Sequence, residues 1–426
     1  MNIYKDTINI LEKIDKINVK VDNSSSLSTL YTKSIHIIKY ILNNINIQDI
    51  HYHTINKHNI NNITLHLLKN CIKLPNDTQL YNFIVSLKNG SLTKDEINVF
   101  TNRYSDKISS FVEYLLKKNK SEKLSYLIHK YSTLIISKFV PIDIQTNILK
   151  LTKYITFSVH IDNNILYFKI FYENQIDNKE LLLIIINALF TIYIYDKHDI
   201  TIYITIFLTN NKKKFPKTYN FLGSLEINSG LTSFEKKNHI CIYRKEELHK
   251  LIIHEMIHAL ELDMNIFMNP NIQFLEDKLI KKFNINVNQL KLNESYTESC
   301  TLIIHSLIVS VLSFISIDKV IKNEIKFRIN QFSNILYFFN ISPNVFRKKN
   351  IDLSNWNEKT AVLSYYFFKL VNIYNIEEFI TLYMFNFNMD MSNYIYFLEN
   401  NIKKIEFLEN NIHLNHSLKM ILYKLV

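Results

Sequence analysis

The sequence has few cysteines, few glycines, no arginine-rich segment and no uninterrupted apolar run of membrane-spanning length. Its 3 cysteines, Cys71, Cys241 and Cys300, are far apart, odd in number and without CxxC spacing. That excludes a disulfide framework and a cysteine zinc site, and suits a reducing interior. Met1 to Asp6 shows no basic flank leading into an apolar stretch, so no secretory signal is expected and an intracellular location is predicted. The two most apolar stretches, Leu181 to Tyr195 and Thr301 to Ile317, are interrupted by Asn187, Thr191 and His305. Both fall short of the roughly 18 to 20 apolar residues of a span, which predicts core helices and no membrane span. The formal charge is +11, but the lysines are scattered or sit in short runs such as Lys212-Lys213-Lys214, with no recognised nucleic-acid motif. A specific nucleic-acid partner is therefore not expected.

What is abundant is Ile, Asn, Lys, Tyr and Phe, the residues of A/T-rich codons, so much of the Asn and Lys content carries no functional message. Hydrophobic residues at 47% and charged residues at 21% still give the balance of a folded globular protein. With only 3 glycines in 426 residues, the placement of Gly223 and Gly230 shortly before a His-Glu motif is informative. Gly230 suggests a bend with positive φ or a close backbone approach to a ligand.

Residues 1–140 read as a helical region, with three- and four-residue apolar spacing in Ser34 to Ile45 and Ile108 to Leu116. His51, His53 and His58 lack an i, i+4 pair and lie among asparagines, which predicts a solvated loop rather than a metal cluster. Beyond Pro141 the pattern changes. Ile155 to Ile161 and Ile165 to Tyr172 flank Asp162-Asn163-Asn164 as a hairpin would. A helix from Lys179 to Tyr195, a strand from Ile200 to Leu208 and a short strand from His239 to Tyr243 follow. The next helix is expected from Lys245 to Leu262, with Glu246 and Glu247 in its first turn, where negative charge suits the helix dipole. From Asn271 onward the chain reads as successive helices. The predicted fold class is α+β, predominantly α: a catalytic core with a small mixed sheet over residues 141–315, flanked by helical regions 1–140 and 316–426.

The chemistry is concentrated in His254-Glu255-Met256-Ile257-His258. Residues four apart share a helix face, so the two histidines can direct ring nitrogens at one ion. Glu255 leans over the same site without ligating, which suits a general base acting on a metal-activated water. Leu251-Ile252-Ile253 and Ala259-Leu260 make the rest of the helix apolar, as for a core helix with one face at a cleft.

A third ligand is needed. The metzincin pattern fails, because Glu261 and Met264 stand where its glycine and third histidine would be. Asp263, five residues past His258, is expected to be rotated away on a continuing helix. Downstream, Asn293-Glu294-Ser295-Tyr296-Thr297-Glu298 opens a long apolar helix. Together with the HExxH run this resembles the gluzincin family of zinc peptidases, the thermolysin-like and aminopeptidase-like group. The resemblance covers about residues 200 to 315. It implies a zincin-like core, Zn2+ as cofactor, a peptide or protein substrate, Glu294 as third ligand, and Glu298 as the carboxylate that orients a zinc histidine. The lead-in Ile240 to Glu247 is also similar to uncharacterised metallopeptidase-like proteins of large nucleocytoplasmic DNA viruses. Family members use a Tyr or His to steady the oxyanion. Tyr296, His305, Tyr365 and Tyr366 are the candidates here, with Tyr366 taken as the working choice. Ile227 to Ser233 is in the right order to be either a substrate-pairing edge strand or an ordinary loop. The competing reading is a catalytically inactive zincin-fold structural or interaction protein, such as a virion component, suggested by the large helical flanks.

Overall fold

The alternation of β-branched and aromatic residues after Pro141 produces strands. A computed structural model describes residues 2–3, 24–54, 144, 147–148, 151, 153–218, 220–233, 238–348, 350–405, 407 and 417–424. Strand β1 (Asn2–Ile3) is followed by helix α1 (Ser25–Asn44) and strand β2 (Asn46–Thr54). The Ser24 hydroxyl caps α1 by accepting from Leu27 N at 2.9 Å. Strands β3 (Lys153–Ile161) and β4 (Asn164–Tyr172) form the expected hairpin, turning at Asp162 with φ 50°. Helix α2 (Asn178–Ile194) then crosses to β5 (Thr201–Phe207), which lies parallel to β4. Strand β6 (Gly230–Ser233) and strand β7 (His239–Ile242) complete a six-stranded mixed sheet of order β2-β3-β4-β5-β7-β6. The fold is α+β and predominantly α, as the sequence predicts.

Two expectations in the N-terminal region change. Residues 46–54 form an edge strand antiparallel to β3, so His51 and His53 lie in the sheet rather than in a loop, with the His53 ring stacked on Tyr154 at 4.4 Å. The alternating polar residues gave no apolar face by which to read this strand. His58, Cys71 and the predicted helix Ile108 to Leu116 lie outside the described residues.

The helical layer is built on α3 (Leu248–Ala259), α4 (Ile272–Lys282), α5 (Leu292–Ser313) and α6 (Ile317–Phe338). Helix α5 packs against α1, α2, α3 and α6, which is why its sequence is apolar almost all round. Among the described residues it is the one helix long and apolar enough to cross a membrane, and 89% of its most apolar window is buried inside the fold. The stretch Thr301 to Ile317 is not one helix: Phe314 takes φ 55°, ends α5, and α6 starts at Ile317. A π-helical turn, Ser364–Phe368, runs into α7 (Lys369–Tyr374), and α8 (Met391–Asn401) precedes strand β8 (Tyr423–Lys424), which pairs with β1.

The helix carrying the His-Glu motif starts later than predicted. Glu247 sits ahead of α3 in the left-handed region, φ 63°, not in its first turn. Its side chain turns inward to a fully buried ion pair with Lys213 Nζ at 3.0 Å. A desolvated partner outweighs the modest benefit of a helix dipole.

One further tie positions the site. Leu222 and Glu358 form a parallel bridge, with Lys359 N donating to Leu222 O at 2.8 Å, so the chain entering β6 is sewn to the chain leading into Ser364–Phe368. Glu358 accepts from Trp356 Nε1 at 3.0 Å and from Leu363 N at 2.7 Å, while Trp356 packs on Phe339 at 4.7 Å. Burial pushes the Glu358 carboxyl from 4.5 up to about 8 against these donors. A carboxyl with a raised folded value gives a contribution to stability that is full below about 4.5 and is lost as pH rises through about 8. Glu358→Gln is expected to resist urea about as well as the parent at pH 5 and better at pH 8.5. Denaturation midpoints at the two pH values check this, and equal midpoint shifts would contradict it.

Candidate metal centre

Helix α3 is buried along its whole length and packs against α2, α5, β6 and β7. Its motif face brings His254 Nε2 and His258 Nε2 to 3.1 Å of each other. Helix α5 supplies the third group. Lys291, φ 57°, sets the entry to α5, and the Glu276 carboxylate accepts Leu292 N at 2.7 Å and Leu290 N at 3.2 Å, satisfying amide groups at that start. The next turn aims Glu294 Oε2 to 3.5 Å from His254 Nε2 and 3.6 Å from His258 Nε2. These three side chains form a cluster that could hold a metal ion.

Both outer ring nitrogens meet carboxylates. His254 Nδ1 lies 2.9 Å from Glu298 Oε1, one turn beyond Glu294 on α5. Glu298 is itself held between the ammonium groups of Lys250 and Lys369, the latter at 2.7 Å. His258 Nδ1 lies 2.9 Å from Asp263 Oδ2, which also accepts from Asn293 Nδ2 at 3.3 Å. Asp263 was expected to rotate away on a continuing helix. Instead α3 ends, Glu261 adopts φ 57°, and the reversed chain carries Asp263 back beneath His258. Its carboxylate meets the outer nitrogen of His258 and is not part of the His254–His258–Glu294 cluster.

With each Nδ1 2.9 Å from a carboxylate oxygen, the two Nε2 atoms face each other and Glu294. Glu294 is partly buried, and its Oε2 has no hydrogen-bond partner. That arrangement suits a cation. The imidazoles point the same way. Burial works to lower the His258 pKa, but Asp263 and Glu294 overcome it and raise it well above the ordinary value. His254 is likewise raised against burial by Glu294 and Glu298. Glu294 is lowered despite burial, because His258 and His254 hold it ionised.

Glu255 projects from the same helix toward the sheet edge. Thr232 Oγ1, on β6, donates to Glu255 Oε2 at 2.8 Å. A Cβ at Gly230 would stand 2.5 Å from Glu255 Oε1 and 3.0 Å from its Cδ, so the glycine clears the space for this carboxylate. The close approach expected at Gly230 is real, and its object is Glu255. Burial raises the Glu255 carboxyl, while the two imidazoles pull it down.

The four oxyanion candidates separate. Tyr366, the working choice, does not reach the cluster: its hydroxyl donates to Leu418 O at 2.6 Å. Tyr296 donates to Met384 O at 2.9 Å. His305 is wholly buried, and burial, with Lys250 and Arg328 nearby, lowers its pKa to about 3. Tyr365 is the one at the site, its ring 6.3 Å from that of His254 and its hydroxyl under the influence of the Glu294 charge. Burial and the Glu294 charge push that hydroxyl far above its ordinary value, so it is a donor. Both tyrosines lie in the π-helical turn, with Tyr365 facing His254 and Tyr366 buried against Leu418. Thr232, Lys250 and Lys369 were given no role in the sequence reading, and Asp263 was set aside there as a candidate third ligand.

No family model matches the chain, and no solved structure does. It is similar to an uncharacterised protein of Acanthamoeba polyphaga mimivirus, 25% identical over 195 residues. The match covers 42% of this chain and 47% of the relative, so the chain spans about half the length of the curated protein it matches.

If the cluster holds a cation, Glu294→Ala should remove most of the affinity, and Asp263→Ala, which leaves every ligand in place, should weaken it by about 10 to 100-fold. Competition with a chromophoric chelator, using Co2+ as probe, measures both. Unchanged affinity in Glu294→Ala would rule out this ligand set.

Proposed function

We propose that the protein is a zinc-dependent hydrolase of peptide bonds, with a zincin-like core and a site of the gluzincin kind. The observation that carries this reading is the mutual spacing of the three acceptors, 3.1, 3.5 and 3.6 Å. Ligand atoms about 2.0–2.1 Å from a tetrahedral zinc are about 3.3 Å apart, and two imidazoles with one carboxylate leave a fourth position open. Bound there, zinc would lower the pKa of a water and polarise a carbonyl.

The chain's own residues supply the rest. Glu255 takes the proton of the attacking water and returns it to the leaving amine, held in line by Thr232 and by the space at Gly230. Its raised pKa brings it closer to neutrality, where a base can also give its proton back. Tyr365, a hydroxyl that stays protonated, donates to the oxygen that becomes negative. Glu298 and Asp263 fix the tautomer and tilt of the two histidines. Strand β6 is an edge strand, paired with β7 on one side. Its other side offers backbone groups to an extended substrate immediately beside Glu255. The mimivirus relative supports reading the chain as a viral protein. The presence of base, ligands and orienting carboxylates in one cluster speaks against a decayed, purely structural zincin.

Purified protein should contain about one zinc per chain, and Glu255→Gln should retain it while losing hydrolysis of a quenched peptide library. Metal loss in Glu255→Gln, or undiminished cleavage, would refute the assigned role. Gly230→Ala should lower kcat by about 10-fold or more with zinc content intact, because its Cβ displaces the base. Tyr365→Phe should lower kcat by about 100-fold with little change in KM, and steady-state kinetics on one cleaved peptide decide it.

A further inference from the structure

Residues 418–423 are buried. Leu418 N donates to Lys213 O at 3.0 Å, Ser417 bridges Lys214 and Tyr423 pairs with Ile3, but most of the other bonds to the backbone of 417–424 come from side chains. Tyr366 donates to Leu418 O at 2.6 Å, and Gln331 Nε2 to Lys419 O at 2.8 Å and Ser417 O at 3.3 Å. Arg328 donates to Met420 O, and Glu247 accepts Met420 N. Glu324 Oε1 accepts Leu422 N at 2.9 Å and Tyr423 N at 3.3 Å. Glu247, Glu324, Arg328 and Gln331 are each no more than 3% exposed. An ordinary core strand would satisfy its backbone on a neighbouring strand. This segment is read as a bound peptide is read, by charged and amide groups set in a groove formed by α6, the π-helical turn and the start of α3. Without it, two carboxylates and a guanidinium would lose partners in the interior, a costly state.

The groove is continuous with the metal centre along two arms. Met420 Sδ lies 3.5 Å from Lys250 Nζ, and Lys250 pairs with Glu298, which holds His254. Tyr366, bonded to Leu418, is the neighbour of Tyr365 at the cluster. We propose that residues 417–424 are a latch whose docking in this groove sets the position of the metal-binding helix, so that latch docking and metal binding reinforce one another. The proposal rests on His254, His258 and Glu294 being metal ligands. By linkage, metal must strengthen docking by the factor by which docking strengthens metal binding.

Hydrogen exchange read by mass spectrometry on the full chain, with and without Zn2+, tests it. Zinc should slow exchange of the amides at 418–423 by at least 10-fold while leaving the β3–β4 hairpin unchanged. Gln331→Leu removes two bonds to the latch and touches no ligand. It should speed exchange both there and in α3, again sparing the hairpin, and should weaken Zn2+ affinity by about 10-fold. The latch is refuted if zinc leaves exchange at 418–423 unaltered. It is equally refuted if Gln331→Leu loosens 417–424 without affecting α3 or zinc affinity. Should the intact chain bind no zinc, the ligand assignment fails, and the coupling of the latch to α3 in Gln331→Leu still decides the mechanical half of the proposal.

Discussion

The carboxylate of Glu298 is the point on which the arrangement turns. It is almost wholly buried and has an ammonium group on either side and an imidazole in front, contributed by Lys250 and His254 of α3 and by Lys369 of α7. A buried anion is tolerable only when its partners are fixed around it, and removing one partner strands the remaining charges. Three helices are therefore locked in relative position by one group, and the ring of His254 inherits that precision. Burial opposes the ionised form of Glu298, yet Lys250 and Lys369 hold it well below the ordinary carboxylate range.

The two histidines are supported differently. His254 leans on a carboxylate neutralised by two lysines, His258 on Asp263, whose other recorded partner is the neutral amide of Asn293. Asp263 thus leaves more of its negative charge directed at the ring of His258 than Glu298 does at His254. Glu255, the proposed base, is positioned from the sheet, by Thr232 and Gly230. The proposed ligands answer to the helical layer and Glu255 to the strand edge, so the cluster is assembled where the two layers meet.

Local pattern made much of this legible. The hairpin, the crossover helix and the approximate span of α5 follow from periodicity and turn residues, and His254, Glu255, His258, Glu294 and Glu298 do fall together in space. The failures have specific causes. Asp263 was misplaced because the chain reverses at Glu261, a residue with no preference for left-handed backbone. Tyr366 was chosen where no motif marked the oxyanion residue, and it is its neighbour Tyr365 whose ring faces His254. Strand β2 was hidden because its polar residues, His51 and His53 among them, leave no clean apolar alternation. Residues 417–424 carry no motif at all, since what defines them is bonding to side chains tens to more than a hundred positions away.

The helix ends around the site are closed by residues ill suited to their backbone. Eleven non-glycine residues among those described have positive φ, among them Glu247, Glu261, Lys291 and Phe314 at the ends of the helices around the site. A left-handed conformation costs an L-residue roughly 1–2 kcal/mol, and proteins commonly place glycine or asparagine at such helix ends. Neither Gly223 nor Gly230 is left-handed. Gly230 stands where a methyl group would collide with Glu255, while acidic, basic and aromatic residues carry the torsional strain at these helix ends. Glycine at those ends would relieve that strain without touching the cluster.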